Sequence, residues 1–500
     1  MVILNAGQIR EWDQYTIQNE PIPSIDLMER AATACCEWLL SNGYENRSFS
    51  IFCAKGNNGG DGLAIARLLS NRELNVTVNI LEFGHKGTED FQVNLARLHE
   101  SPVEIRFISS AEAIPHIPED EIIIDALLGS GLNRPLEGLT AELMDHLNRS
   151  GAEIIAIDIP SGLSADQSAK GNTVIKAAHT LSFQCFKPAF LFAENGEATG
   201  ELHILDIGLK QDFADALPLE YMLSDHESVK QLFRPRKKFA HKGNFGHALL
   251  IAGSFGKMGA AILSAKACIK AGSGLLSVHS PRCGYNLLQS QVPEAMVIAD
   301  KEEEFNTALQ EDLSPFNAIG VGPGIGVSPG TAGMLYDLLQ RRQLPMAIDA
   351  DAINLLAANP KWLDQLPAGS ILTPHPKEFD RLFGVSPNDF ERMKLASQKA
   401  KELSLAIVLK GHYTLIAAPS GEKYFNTTGN AGMAKGGSGD ALTGMITALM
   451  AQGYPSVDAA LLGVYLHGKA GDIAAQLYSQ ESLTASDIID SLGEAFLSLY

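Results

Sequence analysis

The amino-acid sequence predicts an α/β protein with two domains, each built on a mostly parallel β-sheet. Short apolar runs of strand length alternate with helical patterns along the chain, and continuous apolar runs are typical of strands that are buried on both faces. The chain has 500 residues, of which 45% are hydrophobic, and this length exceeds what one ordinary core accommodates. We therefore expect two doubly wound domains of roughly 200–280 residues each.

The predicted strands form two series, separated by a stretch of scattered charge at 207–240 that has no strong period. We expect domains at residues 1–215 and 225–500, and because their patterns differ, we expect a fusion of unlike domains. Residues 413–426 resemble a hairpin, and the end of the chain has a helical pattern. The first series of strands comprises 48–54, 75–81, 121–127 and 153–159, and the second comprises 247–253, 274–280, 316–322, 345–350, 370–374 and 405–411.

Composition excludes several classes of protein. The net charge of −19, from 39 basic and 58 acidic residues, argues against a nucleic-acid or membrane-surface binder. Charged and polar residues come too early in "MVILNAGQIREWDQYTI" for a secretory signal, and no window reaches the roughly 18–20 apolar residues of a membrane span. The six cysteines form no CxxC pair, which argues against both a disulfide framework and a zinc site. We expect a soluble cytoplasmic protein, with Cys35 and Cys36 as core thiols.

The first motif is "CAKGNNGGDGLAIAR" (53–67), which follows a predicted strand and opens a helix. Its glycines allow a tight turn and close approach of a ligand, and the helix amides attract phosphate. A tight strand-to-helix turn without a ligand is the simpler interpretation. Two adjacent Asn and an Asp inside the turn favour a site, because these polar side chains need partners.

Two more strands of the first series end in polar loops. Asp125 is followed by the loop "LLGSGLNRP", and Asp158 is followed by Ser161. A carboxylate at a strand end is often a helix cap, but three polar loops in consecutive units converge outside the carboxyl edge of the sheet, where ligands bind. Asn58, Asp125 and Ser161 offer oxygen ligands with one carboxylate, so a monovalent ion such as potassium is plausible, although composition alone does not establish it.

The second half carries its own glycine-rich turn, "GGSGDALTG" (436–444), before an apolar helix. Its amides would form an anion nest, and Asp440 would reach a substrate hydroxyl, as in a kinase. "GSFGKMGA" lacks the spacing of a Walker A loop, so Lys257 is not a P-loop lysine. His375 lies between two prolines at a strand end, which makes it a better site candidate than an ordinary loop histidine. "VGPGIG" (321–326) and "DADAIN" (349–354) are further strand-end loops.

Together these motifs resemble those of the bifunctional NAD(P)H-hydrate repair enzymes, and the resemblance covers essentially the full chain. Each motif is weak alone, but so many in the family's order make the match specific. The motifs are "NAGQIREWDQYTI", "LMERAA", "GNNGGDGL", "DALLGSG", "IDIPSG", "HKGNFGHALLIAGS", "PEAMV", "VGPGIG", "DADAIN", "LTPHPKEF", "VLKGHYT", "NAGMAKGGSGDALTG" and "YLHGKAGD".

The resemblance implies an N-terminal Rossmann-like three-layer domain fused to a C-terminal ribokinase-like α/β domain. It also implies two activities on hydrated nicotinamide dinucleotides, NADHX and NADPHX. The first domain would epimerise their R and S forms, and the second would dehydrate the S form to NAD(P)H with ADP or ATP as co-substrate. Potassium, magnesium and a homo-oligomeric state follow from the same resemblance, and the composition argues against nucleic-acid or membrane partners.

The resemblance also assigns site residues. In the epimerase, substrate contacts would come from Asn57, Asn58, Gly59, Gly60, Asp61, Gly129, Ser130, Gly131, Leu132, Asn133, Arg134, Pro135 and Asp158, and potassium ligands from Asn58, Asp125 and Ser161. In the dehydratase, hydrate contacts would come from Ala260, Gly324, His375 and Asp440, and nucleotide contacts from Lys410, Gly411, His412, Tyr413, Thr414 and Gly439. One departure is Lys377, where the family usually has Gly, and we expect it to point to solvent.

Catalytic roles are hypotheses at this point. Epimerisation needs either ring opening or loss and return of water, and both routes need a proton acceptor and donor near the nicotinamide ring. Asp158 is our hypothesis for this role. Lys187 is a second candidate, although we expect a solvated loop lysine there. Asp440 is the predicted acid/base group of the dehydration.

Two rival functions follow from the same residues. A ribokinase-like small-molecule kinase fused to a Rossmann-like domain would phosphorylate an alcohol, but it does not need the polar loops of the N-terminal half. A non-catalytic nucleotide-binding or scaffolding protein predicts degenerate loops. That prediction conflicts with the presence of Asp61, Asp125, Asp158 and Asp440.

Overall fold

The computed structural model describes residues 1–82, 84–131, 136–341 and 344–500. These residues form two compact units. Unit 1 comprises Met1–Leu219 and Asn388–Phe390, and unit 2 comprises Glu220–Pro387 and Glu391–Tyr500. Each unit has its own β-sheet, and the predicted α/β fold class is confirmed.

Unit 1 contains a seven-stranded sheet in which every neighbouring pair is parallel. Strand order is β3-β2-β1-β4-β5-β6-β7, so the chain moves outward in one direction and then returns to build the other half. This reversal between β1 and β4 is the place where doubly wound sheets bind ligands. The strands are β1 (Phe49–Cys53), β2 (Val76–Leu81), β3 (Glu104–Ile108), β4 (Ile122–Ala126), β5 (Glu153–Ile157), β6 (His179–Phe183) and β7 (Glu201–Leu205).

Helices cover both faces of this sheet. Alternate residues of β1 point to opposite faces: Ile51 joins an apolar cluster with α2, α3 and α4, and Phe52 joins a cluster with α5. The sheet is therefore the middle of three layers. The helices are α1 (Ala6–Asn19), α2 (Ser24–Ser41), α3 (Asn57–Ser70), α4 (Glu89–His99), α5 (Leu139–Arg149), α6 (Gly196–Thr199) and α7 (Gln211–Ala216), with short 3₁₀ turns at Ala111–Ala113, Pro188–Leu191 and Ala193–Asn195.

Unit 2 contains a ten-stranded mixed sheet of order β11-β10-β9-β12-β13-β14-β15-β16-β17-β8. Its pairs are parallel except around β16, which is antiparallel to both neighbours and forms the predicted hairpin with β17. The strands are β8 (Tyr221–Ser224), β9 (His247–Ile251), β10 (Leu275–Ser280), β11 (Met296–Ala299), β12 (Ala318–Val321), β13 (Met346–Ile348), β14 (Ile371–Leu372), β15 (Ala406–Leu409), β16 (Thr414–Ala417) and β17 (Lys423–Asn426).

Two apolar clusters also lie on opposite faces of the second sheet. Leu250 of β9 joins the cluster that contains α9, α15 and α16, and Leu249 joins the cluster that contains α11 and α12. The helices are α8 (His226–Leu232), α9 (Met258–Lys270), α10 (Tyr285–Gln291), α11 (Pro329–Arg341), α12 (Ala350–Ala358), α13 (Pro376–Phe383), α14 (Asp389–Leu403), α15 (Ser438–Ala451), α16 (Ser456–Ser482), α17 (Ala485–Asp490) and α18 (Leu492–Leu497), with 3₁₀ turns at Lys242–Phe245, Arg282–Gly284, Pro360–Gln365 and Ala431–Met433.

All six cysteines are unpaired, and all but Cys283 are buried. The prediction that Cys35 and Cys36 are core thiols is therefore confirmed. Among the residues that the structure describes, no helix is both long and apolar enough to cross a membrane.

Candidate active sites

A cleft of about 1360 Å³ lies at the carboxyl edge of the first sheet. Its walls come from the segments that follow β1, β4 and β5, which are the three polar loops that the sequence analysis singled out, together with α1 and α2. Lining residues include Trp12, Asp13, Met28, Asn57, Asn58, Asp61, Ser130 and Asp158.

Two glycines of the first loop are required for packing. A Cβ on Gly59 would lie 1.6 Å from the carbonyl oxygen of Ala54, and a Cβ on Gly62 would lie 2.6 Å from the Cβ of Ala126. These glycines therefore let the start of α3 pack directly on the sheet. The tight turn that the sequence analysis predicted for these glycines is therefore accompanied by close packing, and the predicted ligand contact of Gly59 stays a prediction.

Asn58 faces the neighbouring loop with an unsatisfied amide. It is 7% exposed, and neither its side-chain oxygen nor its nitrogen has a hydrogen-bond partner. A Cβ on Gly129 would lie 3.3 Å from the Cβ of Asn58. Because a buried amide without partners is unfavourable by about 1–3 kcal/mol, this side chain is suited to a ligand or ion.

Asp158 is the best-connected carboxylate of the cleft. Its backbone has a φ of +68°, which is unusual outside glycine. One carboxylate oxygen accepts a hydrogen bond from the Ser130 amide at 3.0 Å, and the other lies 2.9 Å from the Lys187 ammonium. The same ammonium donates to Ser182 Oγ at 2.5 Å. Lys187 is completely buried, so the prediction of a solvated loop lysine is wrong.

Two further carboxylates have unusual proton affinity. Burial raises the pKa of Asp13 to about 7, with a smaller contribution from the negative charge of Asp158 and an opposing one from Lys187. Burial, with Asp158 and Asp13 nearby, raises the pKa of Asp61 well above its usual value. The cleft therefore combines an ion-paired carboxylate with two that bind protons more tightly.

Asp125 and Ser161 lie together beneath the cleft. Ser161 donates to Asp125 from its backbone amide at 2.8 Å and from its hydroxyl at 2.6 Å. The Leu128 amide in turn donates to Ser161 Oγ at 2.8 Å. Burial raises the pKa of Asp125 to about 6. The predicted residues Leu132, Asn133, Arg134 and Pro135 lie outside the described residues.

In unit 2, the glycine-rich turn ends at Gly437, whose φ is +94°, and α15 begins at Ser438. His467 of α16 lies 3.3 Å from Ser438 Oγ, and burial lowers its pKa to about 4, so the ring is neutral. Asp472, one turn further along α16, accepts hydrogen bonds from the Gly429 amide and the Asn430 side chain. The "YLHGKAGD" motif therefore contacts both the start of α15 and the segment that precedes the glycine-rich turn.

Asp349 joins three of the predicted loops. Its carboxylate accepts a hydrogen bond from the Lys410 ammonium at 2.8 Å and from Thr443 Oγ1 at 2.8 Å. A Cβ on Gly439 would lie 3.3 Å from Lys410 Nζ and 3.7 Å from Asp349 Oδ2. Burial, with the charge of Asp349 as the next cause, raises the pKa of Asp440 to about 6.

Ala260 and Gly324 also come together. Gly324 has a φ of +64°, and a Cβ there would lie 3.0 Å from the Cβ of Ala260. Beside them Lys257 Nζ lies 3.1 Å from Asp351 Oδ2, and Asp351 contributes to the raised pKa of Asp440. These two predicted hydrate contacts therefore lie together, beside the Lys257–Asp351 pair.

His375 is the N-cap residue of α13, since its Nδ1 accepts hydrogen bonds from the Lys377 and Glu378 amides. The Lys410 amide donates to the Pro374 carbonyl at 2.9 Å, which places this loop beside the "LKGHYT" loop. Gly411 and His412 are exposed, whereas Tyr413 and Thr414 are half-buried. Lys377 is exposed, so the prediction that it faces solvent is confirmed.

Sequence reasoning missed Asp13 and assigned no role to Asp349. Both lie inside motifs that were noted, "NAGQIREWDQYTI" and "DADAIN", but neither motif shows what its carboxylate contacts. Asp13 lines the same cleft as Asp158, which lies 145 positions further along the chain. Asp349 binds residues 61 and 94 positions away.

Two family models match the chain. Residues 24–189 match a model described as the N-terminus of YjeF-related proteins. Residues 248–493 match a model described as NAD(P)H-hydrate dehydratase.

Relatives match over nearly the whole length. A bifunctional NAD(P)H-hydrate repair enzyme of Moorella thermoacetica is 34% identical, over 98% of this chain and 96% of that protein. The enzyme of the same description in Escherichia coli K12 is 34% identical, over 97% and 92%.

Solved structures resemble the second half. A ribokinase-like superfamily protein from Enterococcus faecalis V583 is 29% identical, with a TM-score of 0.50, over 56% of this chain and 98% of its own. An ADP/ATP-dependent NAD(P)H-hydrate dehydratase from Bacillus subtilis, co-crystallised with ATP and Mg²⁺, is 31% identical over 56% and 99%, with a TM-score of 0.49. The Enterococcus structure confirms the predicted ribokinase-like fold.

Proposed function

The chain belongs to the family of bifunctional NAD(P)H-hydrate repair enzymes, and on this premise we propose that it epimerises R and S NADHX and NADPHX and dehydrates the S form to NAD(P)H at the expense of ADP or ATP. We assign the epimerase to residues 1–215 and the dehydratase to residues 225–500, which the edge strand β8 (Tyr221–Ser224) extends at its start because it pairs with β17 in the second sheet. The observation that carries the proposal is the cleft of unit 1, because a kinase alone has no need of its Asp158–Lys187 pair.

The cleft is large enough for a dinucleotide, since its volume of about 1360 Å³ exceeds the ~300–1,000 Å³ of sites for drug-sized ligands. Its substrate contacts would be the start of α3 (Asn57, Asn58, Gly59, Gly60 and Asp61), the loop after β4 (Gly129, Ser130 and Gly131) and Asp158. The amides at the start of α3 suit the diphosphate, and the apolar side of the cleft at Trp12 and Met28 suits a ring.

For epimerisation we propose that Asp158 and Asp13 act as a coupled pair. Asp158, held by Lys187 and the Ser130 amide, orients the hydrated ring. Asp13 exchanges a proton with the ring hydroxyl or the departing water, because a group with a pKa of about 7 gives up and takes back a proton at neutral pH. Either route of epimerisation, ring opening or loss and return of water, uses this exchange.

Potassium fits the residues beside the cleft. Asn58 offers a buried amide oxygen without a partner, and Asp125 and Ser161 add a carboxylate and a hydroxyl below the same loop. Oxygen donors with one negative charge match a hard monovalent cation. We propose that these three side chains hold the ion, whose charge would stabilise the phosphate-binding loops.

For dehydration we propose that Asp440 takes the proton of the ring hydroxyl while that oxygen accepts a phosphoryl group from ADP or ATP. Phosphate then leaves with the electrons of the C–O bond, and loss of a proton from the neighbouring ring carbon restores the double bond. Lys410, fixed by Asp349, and the amide of Gly439 would hold the nucleotide phosphate together with Gly411, His412, Tyr413 and Thr414. Ala260, Gly324 and His375 would hold the hydrate.

Magnesium would accompany the nucleotide. It is commonly bound by phosphates, water and one or two carboxylates, and Asp349 and Asp440 are the carboxylates beside the Gly439 turn.

Six unpaired thiols suit a reducing compartment, so we propose a cytoplasmic location. We propose a homo-oligomeric state as well, and its support is the family resemblance.

The decisive experiment follows NADH absorbance from a mixed R and S NADHX sample with ADP or ATP. Conversion of all the hydrate supports both activities. Conversion of the S fraction alone would refute the epimerase assignment. If no NADH returned and ATP phosphorylated an alcohol instead, the chain would be a ribokinase-like small-molecule kinase.

A further inference from the structure

A second group of polar side chains lies at the end of the first sheet that is opposite to the cleft. His179 and Glu201 are the first residues of β6 and β7 and pair across the parallel ladder. His203 follows Glu201 by two residues and so lies on the same face of β7. Because the cleft is at the carboxyl edge, these three residues, here called the β6–β7 cluster, are separate from the proposed epimerase site.

The donor atoms of the β6–β7 cluster are close enough to share one ion. His179 Nδ1 lies 3.1 Å from His203 Nε2 and 3.6 Å from a Glu201 carboxylate oxygen, and one donor atom from each residue lies within 4.8 Å of the others. Two nitrogens at ~2.0–2.1 Å from one tetrahedral zinc ion are about 3.3 Å apart. The observed spacings bracket that value.

Surrounding residues fix the two imidazoles. The second ring nitrogen of His179 faces a carboxylate oxygen of Glu153 at 3.8 Å, and that oxygen accepts a hydrogen bond from the Tyr44 hydroxyl. Trp38 packs on both rings, with centroid distances of 5.2 Å to His179 and 4.6 Å to His203. A carboxylate behind a ligating histidine is the usual outer arrangement of protein zinc sites.

We propose that His179, Glu201 and His203 bind one divalent transition-metal ion of the zinc class, with water in the fourth position. Imidazole nitrogens favour such an ion over magnesium or calcium. The ion would link β6 to β7, which is the edge strand of the sheet and has no partner on its other side among the described residues. The cysteine spacing that argued against a zinc site does not apply, because this site contains no thiol.

The test uses the full chain, freed of metal by a chelator and titrated with ZnCl₂ by calorimetry, with Co²⁺ absorption as a spectroscopic readout. We expect one saturable site per chain. Glu201→Gln and His203→Ala should each weaken zinc binding at least about tenfold, and Glu153→Gln by about 10–100-fold. His116→Ala, which changes an exposed histidine of a loop, should bind like the wild type.

Unaltered epimerase and dehydratase activities in Glu201→Gln and His203→Ala would show that the variants fold, so that lost zinc binding reports the site itself. The proposal is overturned if the wild type shows no saturable zinc binding, or if both variants bind zinc as the wild type does. In that case the two histidines simply share a hydrogen bond.

Discussion

The ammonium of Lys187 lies 2.9 Å from the carboxylate of Asp158, and no part of the lysine side chain reaches solvent. A buried charge of this kind requires its partner, and removal of one member of a buried pair is unfavourable by about 3–5 kcal/mol. The pair therefore fixes the position of the Asp158 carboxylate. It connects the loop after β5 to the segment after β6.

Asp158→Asn should reduce epimerase activity by about 10²–10⁴-fold, because the neutral amide leaves the buried Lys187 ammonium without its counter-charge and no longer orients the hydrated ring for proton exchange with Asp13. Dehydration of S-NADHX should stay unchanged. The measurement is the rate at which R-NADHX is consumed with excess dehydratase. Asp145→Asn, an exposed position on α5, is the matched control, and wild-type epimerisation in Asp158→Asn would remove this residue from the mechanism.

Asp13→Asn should alter the pH profile of the epimerase. Burial raises the Asp13 pKa to about 7, so the wild-type rate should change with an inflection near that pH as the carboxyl loses its proton. The variant should be slower and should lack this inflection. An inflection that persists near pH 7 in Asp13→Asn would assign it to another group.

Asp440→Asn should reduce the rate of dehydration by about 10²–10⁴-fold. Nucleotide binding, measured by calorimetry, should be retained. The wild-type dehydratase rate should fall as the pH drops below about 6, because burial raises the Asp440 pKa to about 6 and only the ionised carboxylate accepts a proton. Epimerase activity provides an internal control for folding. Full dehydratase activity in the variant would contradict the proposed role.

Gly59→Ala should destabilise unit 1 by at least about 2 kcal/mol, since the new Cβ would meet the Ala54 carbonyl at 1.6 Å. Gly56→Ala is the matched control, because a Cβ there has no neighbour within 4 Å. Thermal unfolding of both variants, followed with epimerase activity, measures the difference. Equal melting temperatures would mean that α3 shifts easily on the sheet.

Asn58→Ala should remove any potassium stimulation of the epimerase. The wild type should be faster in KCl than in LiCl at equal ionic strength, because the smaller ion fits oxygen ligands spaced for potassium poorly. The variant should show one rate in both salts. A salt preference that survives the substitution would place the ion elsewhere.

Most interior strands of the two sheets were predictable, whereas the edge strands were not. Strands buried on both faces need continuous apolar runs, and β1, β2, β4 and β5 all have them. Five strands were not predicted, and four of these, β3, β7, β8 and β11, are the edges of the two sheets. An edge strand such as β3 is largely exposed and has no such run. The fifth, β6, carries Thr180 and Ser182 in buried positions, which hides its pattern.

The candidate sites show the same division. Asp125 and Asp158 lie at the carboxyl ends of predicted strands. Because these ends meet at one edge of a parallel sheet, the sequence predicted that the two residues lie close together. Lys187 and Asp13 could not be placed, because their burial depends on segments from distant parts of the sequence. Sequence patterns give the loop on which a residue lies, but the partners that set its charge come from tertiary packing.

The state of the cysteines bears on how the protein tolerates oxidants. Burial raises the pKa of the thiols of Cys35, Cys36, Cys53, Cys185, Cys268 and Cys283, so at neutral pH each is protonated. The thiolate is the form that peroxides and alkylating agents attack. The protein thus has thiols that resist oxidation and alkylation, and the catalytic residues that we propose work without sulfur chemistry.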